Sequence, residues 1–234
     1  MPTSVVGETW ADAWRDPALR AHLLVTPPAL GVTLAVLAAF LPRVEERPGV
    51  TLADPILAAL PPRDCTWVAF GVIYLALGVG LWVLRGRPRA LVVGVQSYVV
   101  MIAARICVMS VTPLDPPPGM IPLRDPVIEH FARGQVFTRD LFFSGHTATL
   151  VLLVLAVPAG RLGKAVLLAC AAGVAAAVLV QHVHYAIDVL AAPPFAVASY
   201  VLVRRMHTWH HRRARRAVTV RRSLPDLSAP GGAR

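Results

Sequence analysis

The sequence predicts an all-α, polytopic membrane protein built as a bundle of six transmembrane helices. Two observations lead there, and a third removes the rival. Of 234 residues, 56% are hydrophobic and 15% charged, against about 25% charged in a typical soluble domain. The apolar residues gather into six runs, each close to the roughly 20 residues that a spanning helix needs. They lie near Leu23 to Leu41, Thr66 to Leu84, Ala90 to Val111, Leu141 to Pro158, Leu162 to Val180 and His184 to Val203. The alternating apolar and polar pattern of a transmembrane barrel is absent.

Taken in order, residues 1–22 form an N-terminal cytoplasmic or interfacial segment, 23–204 the six-helix catalytic domain, and 205–234 a basic tail expected to be disordered. The N-terminus carries Glu8, Asp12 and Asp16 before any apolar run, the wrong order for a cleaved signal peptide with a basic start. Targeting falls to the first spanning helix. Trp10 and Trp14 lie four apart; on a helix they share one face and rest at the lipid interface, the alternative being a frayed terminus. Cys65, Cys107 and Cys170 have neither metal-like nor redox-like spacing and read as small packing residues.

Orientation follows from the short loops, because excess Lys and Arg mark the cytoplasmic side. The connection Arg85 to Arg89, the turn flanked by Arg161 and Lys164, and the tail from Arg204 to Arg222 are basic, whereas the stretches Pro42 to Cys65 and Thr112 to Asp140 mix Arg with at least as many acids. Both termini are therefore expected in the cytoplasm of a plasma (inner) membrane protein, with the second set of loops outside. The net charge of +10 fits the same topology. Arg204, Arg205, Arg212, Arg213, Arg215 and Arg216 are expected to meet anionic lipid rather than nucleic acid. His207, His210 and His211 have no carboxylate or thiol neighbour in sequence and read as part of a solvated tail.

Ionisable residues at the edge of apolar runs are functional candidates. Two groups stand out on the predicted outer side: Asp140, Ser144, Gly145, His146 and Thr147, then His184, Tyr185 and Asp188. His184 and Asp188 are four apart and at the start of the sixth helix would share a face, with the carboxylate fixing one imidazole nitrogen and leaving the other basic. Ser144 and Gly145 would let an anion approach the helix N-terminus, beside His146 as a proton donor or acceptor. The bland alternative makes each histidine an interfacial polar residue. Arg105 and Arg139 are the candidate cations, Arg105 about 10 Å below the outer end of the third helix, where it faces the site or snorkels to the surface. Tyr98, two turns further down, reads as packing.

These groups resemble two signatures of the sphingomyelin synthase family, in which Asp, Ser-Gly-His-Thr and then His-Tyr and Asp-Val recur in this order; Asp140, Ser144 to Thr147, His184, Tyr185, Asp188 and Val189 match them. Arg105, Thr112 and Pro113 to Pro116 resemble a second signature, and Pro61 to Asp64 a shortened first one. Thr138-Arg139 and Ala186 depart from the pattern. The wider type 2 phosphatidic acid phosphatase superfamily shares Ser-Gly-His and the later His and Asp, but usually carries further basic elements, and Val178 occupies the position of one of them.

The resemblance implies a phosphotransferase that moves a phospho-headgroup from a membrane phospholipid to a lipid hydroxyl acceptor. His146, His184 and Asp188 would be catalytic, with Arg105, Asp140, Ser144, Gly145, Thr147 and Tyr185 binding substrate. A phosphohistidine would form on His184, and no metal or other cofactor would be used. Asp115, Asp125, Glu129, Asp140 and Asp188 are not grouped like a divalent-ion site, and His130 reads as incidental. Few cations suit a singly charged diester better than a monoester dianion. The alternative is a lipid phosphatase using the same residues; a noncatalytic transporter or scaffold would leave the spacing of the triad without a purpose. The sequence carries no expectation for oligomeric state.

Overall fold

The computed structural model describes residues 9–124 and 136–223. Asp125, Glu129 and His130 lie outside them. Eight helices occur among the described residues: α1 (Trp10–Arg15), α2 (Pro17–Glu46), α3 (Pro55–Ala58), α4 (Thr66–Leu84), α5 (Pro88–Val111), α6 (Gly145–Ala156), α7 (Arg161–Val180) and α8 (Ala186–Ser223).

Local chemistry sets the helix starts. Thr9 and Asp12 form a reciprocal capping box on α1. Asp16 then accepts the Ala18 and Leu19 amides, with Pro17 at the first helical position, where its missing N–H costs nothing. The first span therefore begins at Pro17, ahead of the expected boundary at Leu23. Trp10 Nε1 donates to Arg85 O at 2.7 Å, and Arg89 pairs with Asp16 at 3.1 Å. These contacts pin the N-terminal segment to the α4–α5 connection.

Among the described residues five helices are long and apolar enough to cross a membrane: α2, α4, α5, α7 and the part of α8 from Ala186 to His210. The expected sixth is shorter. The apolar run from Leu141 to Pro158 yields α6, whose 12 residues cover about 18 Å at 1.5 Å per residue, well under a hydrocarbon core of roughly 30 Å. Leu141 to Phe143 are apolar without being helical, since the helix is capped at Ser144. Pro158 bars helical geometry from the residue before it, and Val157 is extended with φ −75° and ψ 118°. Lys164 Nζ donates to Val154 O among the last carbonyls of α6, the end where a cation is favoured.

The short helix is the centre of the bundle. On one side Leu150 and Leu153 join Phe70 and Ile73 of α4 and Ala171, Val174 and Val178 of α7. On the other, Ala148 and Leu152 join Met101 of α5 and Ala192 and Ala196 of α8. Irregular backbone such as 141–144 persists at membrane depth when protein surrounds it, and Leu141, Phe143 and Ser144 are buried. α2 packs chiefly on α5 and leaves Leu24, Val25, Val32 and Val36 exposed, as a lipid-facing outer helix does.

The loops above the α6 N-terminus are tied by a two-bond bridge, Val50 N to Pro113 O at 3.0 Å and Asp115 N to Val50 O at 3.1 Å. Gly49 makes this approach possible, because a Cβ there would stand 2.4 Å from the Leu114 carbonyl carbon. Thr138 and Arg139 donate their amides to the Glu45 carboxylate, closing the rim over the end of α2.

At the opposite end of the bundle, His207 is not solvated. It is buried, contacts Gln96 Oε1 at 2.7 Å through Nε2 and stacks on His22 with ring centroids 4.0 Å apart. His210 Nδ1 lies 3.1 Å from His22 Nε2. Helix α8 continues past Arg204 without a break, and this continuity carries both histidines back against α2. The expected boundary at 204/205 is not marked in the backbone.

Candidate active site

The site is assembled at the N-termini of α6 and α8. Ser144 caps α6: its hydroxyl oxygen accepts the Thr147 amide at 3.4 Å and lies 3.1 Å from Thr147 Oγ1. Ser144 N donates to Asp188 O at 3.0 Å, so one backbone bond joins the two sequence groups. Gly145 lies close against a neighbour. A Cβ there would lie 3.3 Å from Arg105 Cζ and Nε, so glycine lets the guanidinium rest on the helix start.

Arg105 is buried rather than snorkelled. Its Nε donates to Phe143 O at 2.8 Å, Nη2 to Asp140 O at 3.1 Å, and Nη1 pairs with Asp140 Oδ1 at 2.7 Å. One guanidinium thus holds the 140–143 segment in shape, and a carboxylate balances its charge, the condition for an ion so far from water. Arg105, expected as a candidate cation for substrate, thus lies behind the α6 start with Asp140 as its ion-pair partner. Arg139 is engaged too, with Asp115 Oδ1 at 2.8 Å and Glu45 O.

His184 lies in the turn before α8, not on its first helical face as the spacing of four suggested, because the helix begins at Ala186. Asp188 still reaches it. The carboxylate turns back as the third helical residue, its Oδ2 accepting the Tyr185 amide at 2.9 Å and standing 3.5 Å from His184 Nδ1. That separation is long for a hydrogen bond, so the contact is electrostatic. Both side chains are almost wholly buried. The His146 and His184 rings are neighbours in an edge-type arrangement, with centroids 6.1 Å apart and planes at 60°. Phe70 of α4 meets His146 edge-on, with ring centroids 6.0 Å apart.

His146, His184, Asp188, Ser144 and Gly145 are therefore brought together, with Arg105 and Asp140 directly behind Gly145. Thr147 is buried, its side chain turned to Ser144. Tyr185 points elsewhere: its hydroxyl donates to Asp115 O at 2.9 Å and accepts the Leu52 amide at 3.2 Å. Burial pushes this phenol up from its ordinary range, so it stays protonated and keeps donating.

Three supports were not anticipated. Asp54 caps α3 through Oδ1 and accepts the Ala186 amide through Oδ2 at 2.7 Å, serving two helix starts with one carboxylate. The Asp-Pro pair signals the first role in sequence, while the second needs the fold. His182, at φ +56°, places Nδ1 2.9 Å from Pro118 O and Nε2 3.0 Å from Leu60 O. Gln181 joins Cys65 N, Thr66 Oγ1 and Ile121 O. Neither Gln181 nor His182 has a signal beyond proximity to His184. Among the described residues no group of three His, Cys, Asp or Glu side chains is arranged to hold a metal ion.

No protein of curated function matches the chain. Residues 139–211 match the family model described as PAP2 superfamily C-terminal. The matched stretch holds both histidines, Asp140, Asp188 and α6 to α7 entire, while α1 to α5 with Arg105 precede it. The chain thus carries a PAP2 superfamily C-terminal domain, set in an all-helical protein with five candidate membrane-spanning helices.

Proposed function

We propose that this protein is an integral membrane enzyme of lipid phosphoesters, working through His184 as nucleophile and His146 as acid and base. The neighbouring histidine rings at 6.1 Å, within a domain of a lipid phosphatase and phosphotransferase superfamily, are the observation that carries the proposal. Asp188 beside Nδ1 of His184 favours a proton there and leaves Nε2 free to attack. In the first step Nε2 bonds to phosphorus as the bond to the diacylglycerol oxygen breaks, and His146 supplies that oxygen with a proton. In the second, His146 takes a proton from an acceptor hydroxyl whose oxygen displaces His184 from phosphorus. The α6 N-terminus, with its amides unsatisfied by the helix, stabilises the charge on the phosphoryl oxygens.

With water as acceptor the enzyme is a lipid phosphatase, the reading that the family match backs more directly. With a lipid hydroxyl it is a headgroup transferase of the sphingomyelin synthase type. A specific observation favours this second reading: Arg105 and Arg139 are each balanced by an aspartate, so the site suits a singly charged diester better than a dianion. The site opens to the extracytoplasmic side in either case.

Purified protein in vesicles, given labelled phosphatidic acid or labelled phosphatidylcholine with and without ceramide, separates these outcomes. Release of inorganic phosphate from phosphatidic acid identifies the phosphatase; a labelled headgroup on ceramide identifies the transferase. Consumption of neither lipid, or full turnover by His184→Ala, refutes the proposal.

A further inference from the structure

A cavity of about 240 Å³ lies inside the bundle between α2, α4, α5 and α6. Its walls include Leu30 and Leu34 of α2, Leu81 of α4, Tyr98 of α5, and Thr149 and Leu152 of α6. No charged residue lines it. Thr149 Oγ1 donates to Gly145 O at 2.7 Å within its own helix, so this hydroxyl is already engaged and the wall it presents is mainly hydrocarbon.

The cavity begins where the site ends. Thr149 is three residues beyond His146 on α6, one turn along the same face. Tyr98 is seven residues before Arg105 on α5, two turns along the same face. From these two residues the walls run away from the site to Leu84, Leu91 and Ala156, about 10 Å further along α5 and α6 at 1.5 Å per residue. The side opening is on the lipid. Leu34 and Leu81 both line the cavity and are 41% and 52% exposed, and α2 packs on α5 rather than α4, leaving a slot between α2 and α4.

We infer that this cavity holds one acyl chain of the lipid whose phosphoester is processed between His146 and His184. The inference rests on the proposed lipid phosphoester chemistry and adds where the lipid's tail goes. An aliphatic, uncharged cavity excludes headgroups, because a polar group placed there would lose its hydrogen bonds to water without replacement. At about 30 Å³ for each water-sized group, the volume takes on the order of eight methylenes, the distal part of a membrane acyl chain. The slot between α2 and α4 gives that chain a sideways path from the bilayer, so the lipid can enter without its tail crossing the rim. A tail held along α6 places the glycerol end at the N-terminus of the same helix, where the two histidines are. The cavity thereby converts tail binding into positioning of the scissile bond.

The test uses the full chain in phosphatidylcholine vesicles containing a trace of a phosphatidylcholine with a diazirine at the end of one acyl chain. After irradiation, adducts should concentrate on Leu84, Leu91 and Ala156, in wild type and in His184→Ala alike. Leu34→Trp, which places a ring in the slot, should reduce these adducts about tenfold, the size expected where added volume overpacks a filled space. Labelling of the exposed residues Leu75 and Leu168 should not change. Leu30→Trp is the second plug should the first variant fail to insert. Floor labelling no stronger than that of Leu75 and Leu168, or insensitive to both plugs, overturns the assignment; so does capture of a sterol probe at these residues in place of the acyl probe. Labelling needs no turnover. Strong floor labelling in a protein that consumes no phospholipid would refute the proposed chemistry and leave the cavity assigned, whereas turnover without floor labelling would refute the cavity alone.

Discussion

At the scale of single residues, the site divides into groups that face the gap between the histidines and groups that hold those residues in place. His146→Ala and His184→Ala should each lower turnover by about 100- to 10,000-fold, the span expected for loss of a positioned proton-transfer group or its partner, with membrane insertion unchanged by protease protection. Tyr185→Phe is expected to behave differently. It removes the donor to Asp115 O and the acceptor of Leu52 N–H, leaving part-buried polar groups without these bonds at a cost of about 1 kcal/mol. Thermal unfolding in detergent should report that loss while KM stays put; a large KM increase at unchanged stability would instead make Tyr185 a substrate contact. For Arg105, a double-mutant cycle with Asp140 should show strong coupling, since either single change leaves a buried charge uncompensated. Additive effects would return Arg105 to the role of a substrate cation. The catalytic candidates were legible because spacing survives in sequence. The partners of Arg105, Arg139 and Tyr185 were not, because Asp140, Glu45 and Asp115 reach them through tertiary contacts between distant segments.

At the scale of elements, α6 departs most from the sequence expectation. Hydropathy counts Leu141, Phe142 and Phe143 toward a spanning helix, and it has no means of seeing that Ser144 begins the helix only after them. Pro158 did mark the other end. Composition placed α4, α5 and α7 to within two residues, whereas capping by Asp16 extended the first span by almost two turns at its start and the last helix runs on well past the expected Val203. The rim depends on a backbone contact equally hidden from composition. Gly49→Ala should separate Val50 from Leu114, because its Cβ would meet backbone that cannot rotate away. Faster amide exchange at Val50 and Asp115 in the variant would register the change, and an unaltered exchange pattern would contradict it.

At the scale of the whole molecule, the bundle places every loop of the site at one end and the His22, Gln96 and His207 cluster at the other. The basic connections lie at the second end, so cysteines introduced at Arg87 should be shielded from an impermeant reagent in intact cells while one at Leu123 reacts. The reverse pattern would invert the proposed orientation. The helical membrane class was readable, since hydropathy is written along the chain. The cluster of histidines was not, because it joins the first span to the last across 185 positions (207 − 22).

The depth of the α6 start carries a mechanical consequence. Gly145 lies against Arg105, six residues short of Val111 at the end of α5, so under the proposed chemistry the reacting phosphorus would come to rest about 9 Å beneath that helix end. Phospholipid phosphates ordinarily float at the headgroup plane. To react, the lipid must sink or the leaflet must dimple, and mismatch of this kind costs a fraction of a kcal/mol per Å. Bilayer thickness therefore becomes part of the rate law: turnover should climb in vesicles of shorter-chain host lipid and fall in thick, sterol-rich ones, while a micellar short-chain substrate, free of any leaflet, should be processed at a rate indifferent to both.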